Sequence, residues 1–141
     1  MTEQNRTDYA LLILRVGLGT VFIAHGYLKV FIVGMAGAAQ FFDSAGIPGW
    51  LAYPVAILEV GGGALLIAGI ATRLVSAILL PVLVGALWYH AGNGWLWVNS
   101  HGGWEYPAFL LVATTAQALL GSGAFALRYG RNDTQNGRVA K

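Results

Sequence analysis

The sequence predicts an all-α fold, a membrane bundle of four helices, and three observations predict it. First, 57% of the 141 residues are hydrophobic and 10% are charged, against roughly 25% charged in ordinary soluble domains. Second, the apolar residues gather into four runs, about 10–33, 53–70, 74–89 and 105–127, of the order of the roughly 20 helical residues that cross a hydrocarbon core. Third, basic residues are distributed unevenly. With both termini and the turn near 69–73 on one side, that side carries Arg6, Arg15, Arg73, Arg128, Arg131, Arg138 and Lys141, and the other only Lys29. The positive-inside rule then sets both termini in the cytoplasm. We read one transmembrane domain over 1–141 with a polar tail at 128–141.

The first span, 10–33, carries Arg15, His25 and Lys29 within an otherwise apolar run. Ionisable groups cost about 2.5 to 3.5 kcal/mol at a helix centre on insertion scales, so they normally face a bundle interior or a wet cavity. Taking Arg15 as zero at about 100° per residue, Gly26 falls near 20°, Gly19 near 40°, Lys29 near 320° and His25 near 280°. Polar residues and glycines thus share a face, leaving Leu11, Leu14, Leu18, Val21 and Phe22 for the others. Residues 1–8 read as a frayed polar lead. No small-residue cleavage site follows the run, so the segment is expected to be retained.

After Gly34, residues 36–45 read as a short interfacial helix ended by Gly46 and Pro48. Trp50 and Tyr53 mark an interface, Pro54 suits a first helical turn, and 53–70 form the second span, with Glu59 its one charge. Gly62 and Gly63 lie three and four residues on, where another backbone can approach closely. A tight turn leads into span three, 74–89, expected to be the shortest, with Pro81 inside it. The connection from His90 to Gly103 is rich in Gly and Trp and reads as an outer loop folded onto the interface. Pro107 sits near the start of span four, which carries Thr114, Thr115 and Gln117 as expected interhelical hydrogen-bonding groups.

Several function classes drop out. The chain has no cysteine, which removes thiol-disulfide chemistry, thiolate metal sites and covalent haem attachment. No basic run is interleaved with aromatics, so nucleic acid is not an expected partner; the lipid bilayer is.

The candidate site is a polar constellation in the outer half. His25 and Glu59 each lie about 9 Å below the ends marked by Phe31 and Tyr53, at about 1.5 Å per residue. Lys29 is one turn above His25, His90 caps span three, and His101 and Glu105 stand at the entrance of span four. A buried cation needs a carboxylate, and Glu59 is the one acid well inside, so it is expected to pair with His25 or Lys29. Two readings stay open: the groups lock helices together, or they line an outward-facing wet pocket where His25 and Glu59 handle protons. Arg15, Arg73 and Gln117 form a second group on the inner side, with Arg15 read as a snorkelling anchor. No HExxH or HxH spacing supports a metal site, and His25 lies too deep relative to His90 for the two to clamp one haem. Trp88, Trp95, Trp97 and Trp104 form an aromatic belt that would also suit a flat ring entering from the lipid.

The segments LRVGLG and HGYLK in span one, FFDSAGIP before span two, LEVGGGALLIAGIATR through it, GGWEYP opening span four and the late GSG resemble the DoxX family of small four-helix membrane proteins. Tyr106 is a mild departure, standing where a hydrophobic residue is expected. The resemblance, from about residue 9 to 130, implies a bacterial inner-membrane protein working beside quinones, as an accessory or quinone-interacting subunit of a membrane redox system. Two other readings stay open. One is a small-solute or lipophile transporter. The other is a non-catalytic structural partner that docks another membrane subunit or a second copy of itself. Whether the chain is an enzyme is left open.

Overall fold

The computed structural model describes residues 1–127; the tail expected at 128–141, with four of the basic residues used for orientation, lies outside the described residues. The described residues are helical and contain no strand. Helix α1 (Glu3–Tyr27) widens into a π-helical turn (Leu28–Ile32) and is followed by α2 (Met35–Ser44). A 3-10 turn (Gly49–Leu51) leads into α3 (Ala52–Ala68), then come α4 (Thr72–His90), a second 3-10 turn (Ala91–Asn93) and α5 (Glu105–Leu120).

Local chemistry sets these boundaries. The lead read as frayed is helical from Glu3, because Thr2 caps it: its Oγ1 accepts from the Asn5 N–H at 3.3 Å, and Glu3 sits at the positive end of the helix dipole. At the other end of α1 the Val33 N–H bonds the Leu28 carbonyl, and Gly34 turns the chain at φ +77. The Asp43 carboxylate accepts the Gly49 N–H at 2.7 Å, which folds α2 back over the start of α3. Gly69 ends α3 in the left-handed region, and Ile70 N–H reaches back to Leu65 O, a Schellman-type stop.

Three stretches, Glu3–Ile32, Gly49–Ala68 and Thr72–Asn93, are long and apolar enough to cross a membrane. The fourth expected span is shorter than read. Helix α5 stops at Leu120 rather than continuing to 127, because Gly121 leaves the helix at φ +96 and Gly123 turns again at φ +66. Residues 121–127 instead lie across the base of the bundle, where Ala124 N–H donates to Asp8 O and Leu127 N–H to Ala68 O. The shortest of the four long helices is therefore α5, not α4, which runs unbroken through Pro81 from Thr72 to His90.

Helices α1 and α3 pack antiparallel along their length. Gly19 faces Gly63, and Gly26 faces Ala56 and Val60. A Cβ on Gly63 would lie 2.6 Å from the Gly19 carbonyl oxygen, so the two backbones touch where side chains are missing. Helix α4 lies along α5 and contacts α3, and α1 closes the ring against α5. Leu18, Phe22, Leu66, Val75, Leu79, Leu83, Leu110 and Ala113 fill the middle. Leu11, Leu18 and Phe22, placed above on faces other than the polar one, are interior together with Arg15, Gly19 and Gly26. The buried arc is wide enough to take both sets, since Leu18 and Phe22 lie within about 60° of Arg15 on the helical wheel. Exposed instead are Ile13, Ile57, Phe109, Val112 and Leu119, while Arg15, Gln117, Thr114 and Ser76 are among the most deeply buried side chains. An apolar outside around polar interior residues is the pattern of a bundle in lipid.

Candidate functional site

Residues 3–10, the 69–72 turn and residues 121–127 define one end of the bundle, called here the near end. The far end holds α2, the start of α3 and the 91–104 loop. Of the six groups expected to gather at the far end, five separate into two places and the sixth, His101, lies in neither.

The first is the α1–α3 seam. Lys29 Nζ lies 2.9 Å from Glu59 Oε1 and 2.8 Å from Oε2, and Glu59 is 4% exposed. The π-helical turn carrying Lys29 and the antiparallel seam bring the ammonium over the carboxylate, which answers both charges. Of the two partners expected for Glu59, the structure supplies Lys29.

His25 is not part of that pair. Its ring is exposed, its Nδ1 lies 2.9 Å from Val21 O on its own helix, and its centroid is 6.1 Å from that of Tyr106 in a stacked arrangement. Equal depth did not suffice for pairing. On the wheel His25 lies about 40° beyond Lys29, enough to turn it from α3 toward α5.

The second place is a cavity of about 1010 Å³ between α1, α5 and the 91–104 loop. His25, His90, Trp95, Trp97, Glu105 and Tyr106 contribute to its wall. Phe109 and Val112, both on the exposed flank of α5, continue the wall sideways. The loop is held by its own polar groups. His90 Nδ1 lies 2.9 Å from Gly102 O, Asn93 Nδ2 donates to the same carbonyl at 2.9 Å, and Glu105 Oε1 accepts the Trp97 N–H at 2.7 Å. Trp95 and Trp104 meet edge to face at 4.4 Å. Gly103 is buried against the carbonyls of Gly94 to Leu96, so the chain can cross itself only where a side chain is absent.

A carbonyl oxygen accepts and cannot donate, so the Nδ1 of both His25 and His90 carries the proton in these bonds. In the neutral rings each Nε2 is then an acceptor, and both histidines belong to the cavity wall. His101 is elsewhere: it is exposed at φ +66, and its Nδ1 lies 3.0 Å from Ser100 Oγ. Among the described residues no three His, Asp or Glu side chains are arranged to hold a metal ion. Sequence reasoning missed Tyr106 as a wall residue. Its place one position after Glu105, at the exit of the Trp loop, was the available signal.

The near-end group has a different character. Arg15, read as a snorkelling anchor, is 1% exposed. Its guanidinium donates to Leu66 O at 3.1 Å, Ile67 O at 2.6 Å and Ala124 O at 2.7 Å. It therefore satisfies carbonyls at the end of α3, where a cation is also favoured by the helix dipole. Gln117 Nε2 donates to Gly121 O, and Arg73 Nη2 lies 3.5 Å from Leu120 O, so both close the end of α5. The expectation that Thr114, Thr115 and Gln117 bond across helices is not met. Thr115 donates to Leu111 O in its own helix, Gln117 to the residue just past its own helix, and the Thr114 hydroxyl has no partner.

No solved structure matches the chain. Among curated proteins, "Putative oxidoreductase CatD" of Bacillus subtilis (strain 168) is 38% identical over 120 residues, 85% of either chain. "Inner membrane protein YqjF" of Escherichia coli (strain K12) is 36% identical over 66 residues, 47% of this chain and 49% of that one. The DoxX family matches residues 10–92, a stretch that holds Arg15, His25, Lys29, Glu59, Arg73 and His90 and stops short of α5. With more than half of its length matched and a relative this similar across most of both chains, the chain belongs to the DoxX family.

Proposed function

We propose that this chain is a quinone-interacting accessory subunit of a redox system in a bacterial inner membrane, and that the cavity between α1, α5 and the Trp loop receives the quinone ring. In this reading α5 completes a fourth crossing, both termini are cytoplasmic, and the far end faces outward. The observation that carries the reading is the cavity itself. Its volume of about 1010 Å³ is at the upper end of the range of small-molecule sites. Its wall joins flat aromatic faces to a few polar groups, and it continues along the exposed side of α5, where a lipid-dissolved molecule would arrive. The names of the relatives, "Putative oxidoreductase CatD" and "Inner membrane protein YqjF", point the same way.

The residues divide the work by their chemistry. Trp95, Trp104 and Tyr106 offer ring faces and edges for stacking. The Nε2 atoms of His25 and His90 accept hydrogen bonds from the hydroxyls of the reduced ring, and imidazole nitrogens so placed suit proton transfer. The chain has no cysteine, so electrons pass to a neighbouring subunit rather than to a thiol pair. Lys29 and Glu59 neutralise each other and fix the helix that presents His25.

Indole fluorescence tests the reading directly, because three of the five tryptophans line the cavity. Titrating the purified protein in uncharged detergent with a short-chain ubiquinone should quench that emission saturably. His25→Ala should weaken the binding by about tenfold, the worth of roughly one hydrogen bond to a ligand. Linear quenching identical in the wild type and in His25→Ala would remove the proposal.

A further inference from the structure

The near end closes on residues 121–127, a non-helical strap that leaves α5 at Gly121 and crosses the base of the bundle. Nothing in the quinone reading uses it. Helix α5 needs it for a reason of length. Its 16 residues rise about 24 Å, roughly 6 Å less than a hydrocarbon core of about 30 Å. The fourth crossing proposed above is therefore finished by chain outside the helix, and at the near end that chain is the strap.

The contacts of the strap set its depth. Gly123 lies against Leu11 and Leu12, Ala124 N–H donates to Asp8 O, and the Phe125 ring is centred 6.1 Å from that of Tyr9. These partners form the first apolar turn of α1, and the polar residues 2–7 extend beyond it. The strap thus lies on the bundle side of the polar lead, level with residues that begin an apolar span.

Its two sides differ. Ala124 and Ala126 are half-buried, Ala126 against Gly69, whereas Phe125 and Leu127 are 77% and 64% exposed. Phe125 also takes φ +50, a conformation that is strained for a bulky residue. A large ring held outward at that cost signals a gain from its surroundings.

The backbone of the strap is served by protein. Ala124 N–H donates to Asp8 O at 2.9 Å and Leu127 N–H to Ala68 O at 3.0 Å, and Ala124 O accepts from the Arg15 guanidinium at 2.7 Å. Irregular backbone at membrane depth is tolerated where such partners replace water.

We propose that the strap is immersed in the near-end leaflet, where Phe125 and Leu127 contact acyl chains and complete the fourth crossing. This rests on the four-span part of the reading above and is independent of quinone. Acyl chain is the occupant because the exposed apolar residues of α5, down to Leu119 and Leu120, continue into Phe125 and Leu127. No charged residue interrupts the sequence between Glu105 and Arg128.

The chain has no cysteine, so single-cysteine variants of the full-length protein each carry one nitroxide label. In vesicles of phosphatidylcholine and phosphatidylglycerol, spin-label relaxation by oxygen, which concentrates in hydrocarbon, is compared with relaxation by a water-soluble nickel chelate. Val112→Cys, on the exposed flank of α5, reports whether that helix crosses at all, and Asn5→Cys reports water. The labels at Phe125→Cys and Leu127→Cys should show an oxygen-to-nickel ratio severalfold above that at Asn5→Cys. Leu127 is free of the positive φ of Phe125, so its variant reads the strap without touching the strained residue. A Val112 label that behaves like the Asn5 label removes the fourth crossing and the strap's immersion together. A Val112 label in lipid, with the 125 and 127 labels matching Asn5, leaves the crossing standing and overturns the inference. Labels at 125 and 127 shielded from both reagents mean that protein covers the strap, either the chain beyond 127 or a second copy, and this also overturns it.

Discussion

Helix α1 presents two opposite kinds of polar surface. Along the α1–α3 seam, Arg15 and Lys29 are answered by fixed partners, three carbonyls and a carboxylate, and glycines let the backbones meet. Toward α5, His25 keeps one nitrogen on its own helix and belongs to the wall of a cavity. The seam has spent its polar capacity on holding the bundle together. In the proposed reading the cavity side keeps capacity for something that is not protein, and mutations on the two sides should therefore read out differently.

The largest effect is expected at the seam's ion pair. Glu59→Leu leaves a mostly buried Lys29 ammonium without its carboxylate and should cost about 3–5 kcal/mol in unfolding by sodium dodecyl sulfate titration. Lys29→Met combined with Glu59→Leu removes both charges and should recover most of that loss. If the double variant were as unstable as the single one, the pair would not be a closed unit. Next comes Arg15→Lys, which keeps the charge and loses the fork that reaches three carbonyls; about 2–3 kcal/mol is expected in the same titration.

Glycine substitutions compare the seam with an open helix face. Gly63→Ala places a methyl 2.6 Å from the Gly19 carbonyl oxygen and should cost about 1–3 kcal/mol, because the backbones must move apart. Gly61, two residues earlier in the same helix, has nothing within 4 Å of an added Cβ. Gly61→Ala should be neutral or stabilising by up to about 1 kcal/mol. Similar losses at both positions would mean that helix propensity, not close approach, sets the requirement for glycine.

These contrasts also mark how far the sequence can be read. Helices, the interfacial α2 and the stop at Gly69 follow from apolar run length and turn residues, both local. Partners are not local. Arg15 bonds carbonyls 52 and 109 positions away, so its interior role could not be told from snorkelling. Lys29 and His25 differ by about 40° on the wheel, but the wheel does not say on which side α3 and α5 stand, and that decides which of them meets Glu59. The end of α5 is local too: the GSG at Gly121 to Gly123 falls inside the span expected at 105–127, and its glycines stop the helix at Leu120.

The smallest stability effect is expected on the cavity side, and it is the most telling. His25→Gln removes an exposed ring whose one bond is to its own helix, so unfolding should shift by no more than about 0.5 kcal/mol. Glutamine keeps a polar group at the wall but offers a carbonyl and an amide in place of a basic nitrogen, so it cannot take up a proton near neutral pH. Any change in quinone binding or in its pH dependence then arises at the site rather than through the fold. The seam variants should show the converse, losing stability first and binding only as far as α1 shifts. A His25→Gln protein that unfolds like Glu59→Leu would mean that this ring belongs to the packing after all, and the functional difference between the two sides of α1 would be lost.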